Sequence, residues 1–214
     1  MHQGYDLIGD VHGCGETLIE LLEQLGYSKR NGIYQHPKRK VVFLGDIVDR
    51  GPHIRLACHI VRDMVDAGHA DIVMGNHEYN LVTYLSEAPP GMRQPYLRPH
   101  TARNNFIVEQ SIKQFEDHPH EFTEFLEWFT DLPLWLEYDH FRVVHACWDQ
   151  AMIDEYLQRY GTNHITRAML PESVNMDTFL YRFLDRMLRG TSLKLPDGRS
   201  MTAKDGMVRQ FFRT

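Results

Sequence analysis

The chain has 214 residues, 43% hydrophobic and 24% charged, with 15 glycines and 10 prolines, the usage of an ordinary globular domain long enough to bury a core without staples. Twenty-nine acidic against 23 basic residues leave a net charge of −6, which excludes non-specific attraction to a nucleic-acid polyanion. No run reaches the roughly 18 apolar residues of a bilayer span. Cys14, Cys58 and Cys147 are odd in number and form no C-x-x-C, and residues 1–4 lead straight into a strand-like segment rather than a signal peptide, so a cytoplasmic protein without membrane contact is expected. Thirteen histidines are a surplus that gains meaning only from their positions.

In chain order, Tyr5–Ile8 reads as a strand ending at Gly9-Asp10. A helix over Glu16–Leu25 follows, its Leu18, Leu21, Leu22 and Leu25 at helical spacing and Gly26 as the stop. Lys40–Leu44 is the next strand, again ending at Gly-Asp, and Pro52–Ala67 the next helix, closed by Gly68. Ala70–Met74 is a third strand ending at Gly75-Asn76. Residues 86–100, with five prolines or glycines and no periodicity, predict a loop or cap. Helices resume over Ala102–Phe115 and Glu121–Phe129, then Leu134–Leu136 and Phe141–Val144 predict a strand pair ending at His145. A helix over Asp177–Leu188 precedes turns at 195–198 and 204–206 between short strands, and Phe211–Thr214 reads as the middle of a strand.

Three strands that each end in Gly and a polar residue organise the chain, because ligand sites in α/β sheets gather beyond the carboxyl ends of the strands. The ends carry Gly9-Asp10-Val11-His12-Gly13, Gly45-Asp46-Ile47-Val48-Asp49-Arg50-Gly51, Gly75-Asn76-His77-Glu78 and Val144-His145-Ala146. Carboxylate, amide and imidazole together suit divalent Mn, Fe or Zn. A carboxylate such as Asp46 can bridge two ions about 3.5–4 Å apart. Taken singly, Asp46 and Asp49 could equally cap the helix after Pro52, Asn76 could be a turn residue, and Glu78 could start a helix. The order of the set, at spacings of 36 and 30 residues that match one strand-helix-strand unit each, is what raises it above its parts.

Asp-x-His-Gly, Gly-Asp-x-Val-Asp-Arg-Gly and Gly-Asn-His-Glu resemble the signature of the calcineurin-like metallophosphoesterases, in the phosphoprotein phosphatase branch that also holds bacterial serine/threonine phosphatases and symmetrical diadenosine tetraphosphatases. The resemblance spans residues 6 to about 148. It implies an α/β fold with a metallophosphoesterase β-sandwich core, flanking helices and a helical, proline-rich cap region, which revises a purely parallel start. It implies a phosphoester hydrolase with two divalent metal ions, Mn above Fe or Zn. Asp10 and His12 would hold the first ion, Asp46 both, and Asn76 and His145 the second. A metal-bridging hydroxide would attack in line, His77, oriented by Asp49, would act as general acid, and Arg50 would hold phosphate oxygens. The substrate would be a phosphoprotein, a nucleotide or a small phosphoester.

One departure from the family pattern is the absence, after Cys147, of the Gly-His motif that completes the second metal. His164 is the only later histidine and reads as a loop residue. The expectation is a single domain, 1–214, lacking its C-terminal end; the rival is an impaired relative serving as a binding or regulatory module. Among lesser candidates, Arg93, Arg98 and His100 fit a solvated loop better than a substrate contact. His118-Pro119-His120 reads as a turn, Lys38-Arg39-Lys40 as an exposed lead-in, and Trp128, Trp135 and Trp148 as packing, with Trp148 a possible pocket residue. Cys14 is read as packing rather than as a nucleophile.

Overall fold

The computed structural model describes residues 4–202 and 208–213 and begins with the alternation that the sequence predicts. In order come β1 (Gly4–Ile8), α1 (Gly15–Gln24), a hairpin of β2 (Ser28–Arg30) and β3 (Ile33–Gln35), β4 (Arg39–Phe43), α2 (Ile54–Asp66), β5 (Ala70–Ile72) and α3 (Asn76–Leu85). After an extended segment over 86–101 come α4 (Ala102–Phe115), α5 (Pro119–Asp131), β6 (Trp135–Glu137), β7 (Arg142–Val144), α6 (Gln150–Tyr160), α7 (Leu170–Ser173) and α8 (Phe179–Arg189). The short strands β8 (Ser192–Lys194), β9 (Met201–Thr202), β10 (Val208–Arg209) and β11 (Phe211–Arg213) end the described chain. The predicted turn at 204–206 and Thr214 lie outside the described residues.

β1, β4 and β5 form a parallel sheet in the order β1-β4-β5, with Asp6 opposite Val41 and Phe43 opposite Ile72. Val41, Val42 and Phe43 are wholly buried, as a strand covered on both faces requires. The core joins Leu18 and Leu22 of α1 and Ile54, Ala57 and Val61 of α2 to Val41 and Phe43. On the other side the antiparallel β6–β7 hairpin joins Val143 to Val42 and Val73, and Tyr5, Tyr138 and Phe141 close a ring cluster with centroids 4.4–5.1 Å apart. Sheet, stacked hairpin and flanking helices make the mixed α/β architecture.

The outer helices follow their caps. Thr101, Asp149 and Thr178 each accept a backbone N–H in the first turn of α4, α6 and α8, worth about 1 kcal/mol apiece. α8 buries Phe179, Leu180, Phe183, Leu184, Met187 and Leu188 on one stripe, which orients its C-terminal Arg189 toward the site. α6 is absent from the predicted elements, although Met152, Ile153, Tyr156 and Tyr160 repeat at three and four after the Asp149 cap. His118-Pro119-His120 starts α5, with Pro119 in its first turn, where a missing N–H costs nothing. Arg39 and Lys40 are not an exposed lead-in: they lie in β4, where Arg39 pairs with buried Asp6 and Lys40 with Asp71 at 2.7 Å. No helix among the described residues is long and apolar enough to cross a membrane.

Candidate metal centre

The loops after β1, β4 and β5 converge, joined by the one after β7. The turn after β4 fits only because of its glycines. Gly45 has φ +83° and a Cβ there would fall 2.3 Å from the Gly75 nitrogen, while a Cβ on Gly75 would fall 2.3 Å from Asp46 Oδ1. Asp10, His12, Asp46, Asp49 and Arg50 all hold positive φ, from 29° to 69°. Each such residue costs of order 1 kcal/mol or more and persists only where its surroundings over-determine it. Glu78, wholly buried, supplies that constraint around Asp46: its carboxylate accepts the N–H groups of Asp46, Ile47, Val48 and Gly75 at 2.8–3.3 Å. Burial and the nearby charge of Asp46 push its pKa up, against the pull of these backbone donors.

Asp46 occupies the middle. Its Oδ2 lies 3.6 Å from His12 Nε2 and its Oδ1 3.6 Å from His145 Nε2. Each imidazole donates Nδ1–H to a backbone carbonyl, His12 to Val48 at 3.0 Å and His145 to Leu44 at 2.5 Å, so both Nε2 lone pairs point at the carboxylate. Burial lowers the pKa of His12, outweighing the Val48 bond, and its Nε2 is buried without a hydrogen-bond partner among the described residues. Asp10, largely exposed, brings Oδ2 to 4.0 Å of the same nitrogen. Asn76 places Oδ1 3.2 Å from His145 Nε2. Two acceptors at that distance call for a cation, or for the amide turned so that its NH₂ donates to His145 and Leu188. An orphaned imidazole nitrogen beside the carboxylates of Asp10 and Asp46 is a donor set that could hold a divalent cation.

His77 differs from the other two. Donor atoms of His12, Asp46 and His77 lie within 4.8 Å of one another, but His77 Nδ1–H is given to Asp49 Oδ2 at 2.6 Å. Asp49 is wholly buried, and its other oxygen accepts the hydroxyl of Ser111 at 2.6 Å. Burial pulls the pKa of His77 down, yet the Asp49 bond and the charge of Asp46 prevail and raise it. Exposed Arg50 pairs with neither Asp49 nor Glu78; its Nη2 stands 3.5 Å from His77 Nε2. The guanidinium and the imidazole thus stand side by side at the cleft.

Arg50, Asn76 and His77 open onto a cleft of about 1360 Å³, whose far wall includes Arg98, Arg103 and Arg189. Residues 86–101 form the expected loop, more than half of it exposed, but it is tied down at several points. Leu97 is buried, its N–H bonds to Ser86 O and that of Arg98 to Thr83 O, and His100 stacks between Tyr84 and Tyr96 at 3.9 and 4.1 Å. Arg93 is exposed and does not line the cleft. His164 is tied to Thr162 through its ring and to Pro133 through its backbone. Trp148 lies under Arg142, outside the cleft lining, and Cys14 Sγ is turned to His12 O at 3.7 Å. Sequence reasoning missed Ser111, Asn80 and Arg189; a helix carries no local sign that one of its polar residues meets a partner far away in sequence.

A model of the calcineurin-like phosphoesterase family matches residues 6–186. Among curated proteins, the chain is 35% identical over 153 residues, 71% of its length, to a bis(5'-nucleosyl)-tetraphosphatase PrpE (asymmetrical) of Oceanobacillus iheyensis. It is 45% identical over 82 residues, 38% of its length, to the protein of that name from Halalkalibacterium halodurans. These matches span 57% and 33% of the relatives' own lengths. A crystal structure of a cold-active protein tyrosine phosphatase of a psychrophilic Shewanella sp. superposes on 82% of this chain and 52% of its own, with TM-score 0.50 at 18% identity, a likeness of fold.

Proposed function

We infer, because this chain belongs to the calcineurin-like phosphoesterase family, that it is a phosphoester hydrolase built to hold two divalent metal ions. One observation carries the reading: Asp46 turns one carboxylate oxygen to His12 Nε2 and the other to His145 Nε2, 3.6 Å each, with both rings locked by Nδ1–H bonds. His12, Asp10 and Asp46 would hold one ion; Asp46, Asn76 and His145 would hold the other. Two imidazoles, three carboxylates or carboxylate shares and an amide suit Mn above softer metals. Each position would have three protein ligands, and with the neutral Asn76 amide where the first has the Asp10 carboxylate, the second is the weaker. When bound, such ions polarise the phosphoryl group and activate water.

The chain's own residues do the rest. Arg50 binds phosphate oxygens through its planar fork, and the 3.5 Å between its Nη2 and His77 Nε2 sets both donors on one anion. His77 carries a proton on Nε2 and delivers it to the leaving oxygen, while Asp49 fixes the ring through Nδ1 and stabilises its charge. Ser111 keeps Asp49 in place. Glu78 accepts only backbone protons and acts as a clamp. No covalent phosphoenzyme forms.

The matched relatives are named as asymmetrical bis(5'-nucleosyl)-tetraphosphatases, which favours a dinucleoside polyphosphate over a phosphoprotein as substrate. Three free cysteines fit a cytoplasmic setting. The test is phosphate release from p-nitrophenyl phosphate with and without Mn²⁺, beside Asp46→Asn. Turnover that needs Mn²⁺ and disappears in the variant is expected; a folded protein without metal-dependent turnover contradicts the reading.

A further inference from the structure

The geometry points to a second anion subsite one helical turn from the metal centre, where Arg98 and Arg189 meet on Asn80 and take a non-reacting phosphate of a polyphosphate substrate; this deepens, and rests on, the hydrolase reading above. Asn76 and Asn80 lie four residues apart on α3, about 6 Å along the helix, and both line the one cleft with Arg50 and His77.

The charges at this point do not balance. Arg98 Nη1 and Arg189 Nη2 each donate to Asn80 Oδ1 at 2.9 Å, so two guanidinium cations share one neutral oxygen. The other bond of Arg98 goes to Asn104 Oδ1 at 3.0 Å, also neutral. Among the described residues Arg189 has one carboxylate partner, Asp185 at 3.3 Å, and lies 5.8 Å from the Tyr79 ring. A guanidinium carries five N–H groups, so both forks keep donors to spare. Burial and the charge of Arg189 push the pKa of Arg98 down to about 10, which leaves it cationic at neutral pH. Among the described residues of the cleft, Arg50, Arg98, Arg103 and Arg189 stand with the carboxylates Glu109 and Asp185, in a protein of net charge −6. That local excess suits a substrate with several phosphates: Arg50 and His77 serve the reacting one, and the Arg98–Arg189 pair the next.

The experiment measures binding of inorganic tripolyphosphate and orthophosphate by calorimetry, on the full chain in metal-free buffer, so that no turnover is needed. Wild type is expected to bind tripolyphosphate more tightly than orthophosphate. Arg98→Lys and Arg189→Lys, which keep charge but lose the fork, should each weaken tripolyphosphate about tenfold or more. The double variant should fall little below either single one, because both act on one anion. Arg30→Ala, exposed and outside the cleft, is the charge control and should bind as wild type does. Each variant's unfolding midpoint shows that it is folded, and if Arg98→Lys is not, Arg189→Lys at the end of α8 carries the test. Arginine variants that bind tripolyphosphate within about twofold of wild type, or a loss equal to that in Arg30→Ala, overturn the subsite. Absent Mn²⁺-dependent hydrolysis with intact, arginine-dependent tripolyphosphate binding would sink the hydrolase reading and leave the subsite standing.

Discussion

The two walls of the cleft are built differently. On the metal side, Asp10, His12, Asp46, Asp49 and Arg50 hold positive φ, and a buried glutamate binds the backbone N–H groups of Asp46, Ile47, Val48 and Gly75. On the far side, Asn80, Arg98 and Arg189 have no positive φ and reach the cleft from regular helices and an extended segment. The contrast teaches where strain is concentrated. Asp10, His12, Asp46, Asp49 and Arg50 stand on strained turns that the fold over-determines, whereas Asn76, His77 and His145 share the ordinary backbone of the far wall. Arg50 stands on such a turn, while Arg98 and Arg189 are long side chains on ordinary backbone.

The strongest attempt to break that contrast is His77→Asn, expected to lower kcat by about 10²- to 10⁴-fold while Mn²⁺ binding persists. The loss should be greater for an alkyl phosphate, whose leaving oxygen needs the proton, than for p-nitrophenyl phosphate; equal losses contradict the acid role. Next comes Glu78→Gln, which turns an amide NH₂ onto buried donors and should cost about 2–5 kcal/mol in urea unfolding, far more than any single change on the Arg98 wall. A cost below about 1 kcal/mol would show that the strained turns hold without the clamp. Ser111→Ala removes one bond to Asp49 and should lower kcat about tenfold with KM little changed.

The smallest effect lies outside both walls. Glu121 accepts from Arg55 at 2.8 and 3.2 Å and contacts His59 at 2.6 Å, tying α5 to α2; the Arg55 bonds lower its pKa against the opposing effect of burial, with His59 adding to the shift. A depressed carboxylate stabilises the fold above its unfolded pKa of about 4.3 and loses that contribution as pH falls through the folded value. In this partly exposed pair it amounts to less than about 1 kcal/mol. The stability difference between wild type and Glu121→Gln should therefore be present at neutral pH and fade in acid; a difference constant through the carboxylate range contradicts the assignment.

Legibility in the sequence follows the same division. Asp10, His12, Asp46, Asn76 and His145 could be read because each sits where an apolar strand ends in a turn, a local signal, and the structure brings all five together. Ser111 meets Asp49 across 62 residues of chain and Arg189 meets Asn80 across 109; no spacing rule encodes such pairs. The prolines and glycine of 86–100 mark a loop or cap, but not the Tyr84 and Tyr96 rings that bind it down around His100. The α6 periodicity was legible in Ile153 and Tyr156, and the Asp149 cap confirms it.

The central claim, that Asp46 is shared between two cation positions, is tested most directly by Mn²⁺ binding to wild type and to Asp46→Asn, read by calorimetry with metal analysis. Two ions per wild-type chain, one weaker than the other, with both weakened in the variant, is the expected result. Binding of Mn²⁺ that is indifferent to Asp46, or no binding by folded wild type, would contradict it.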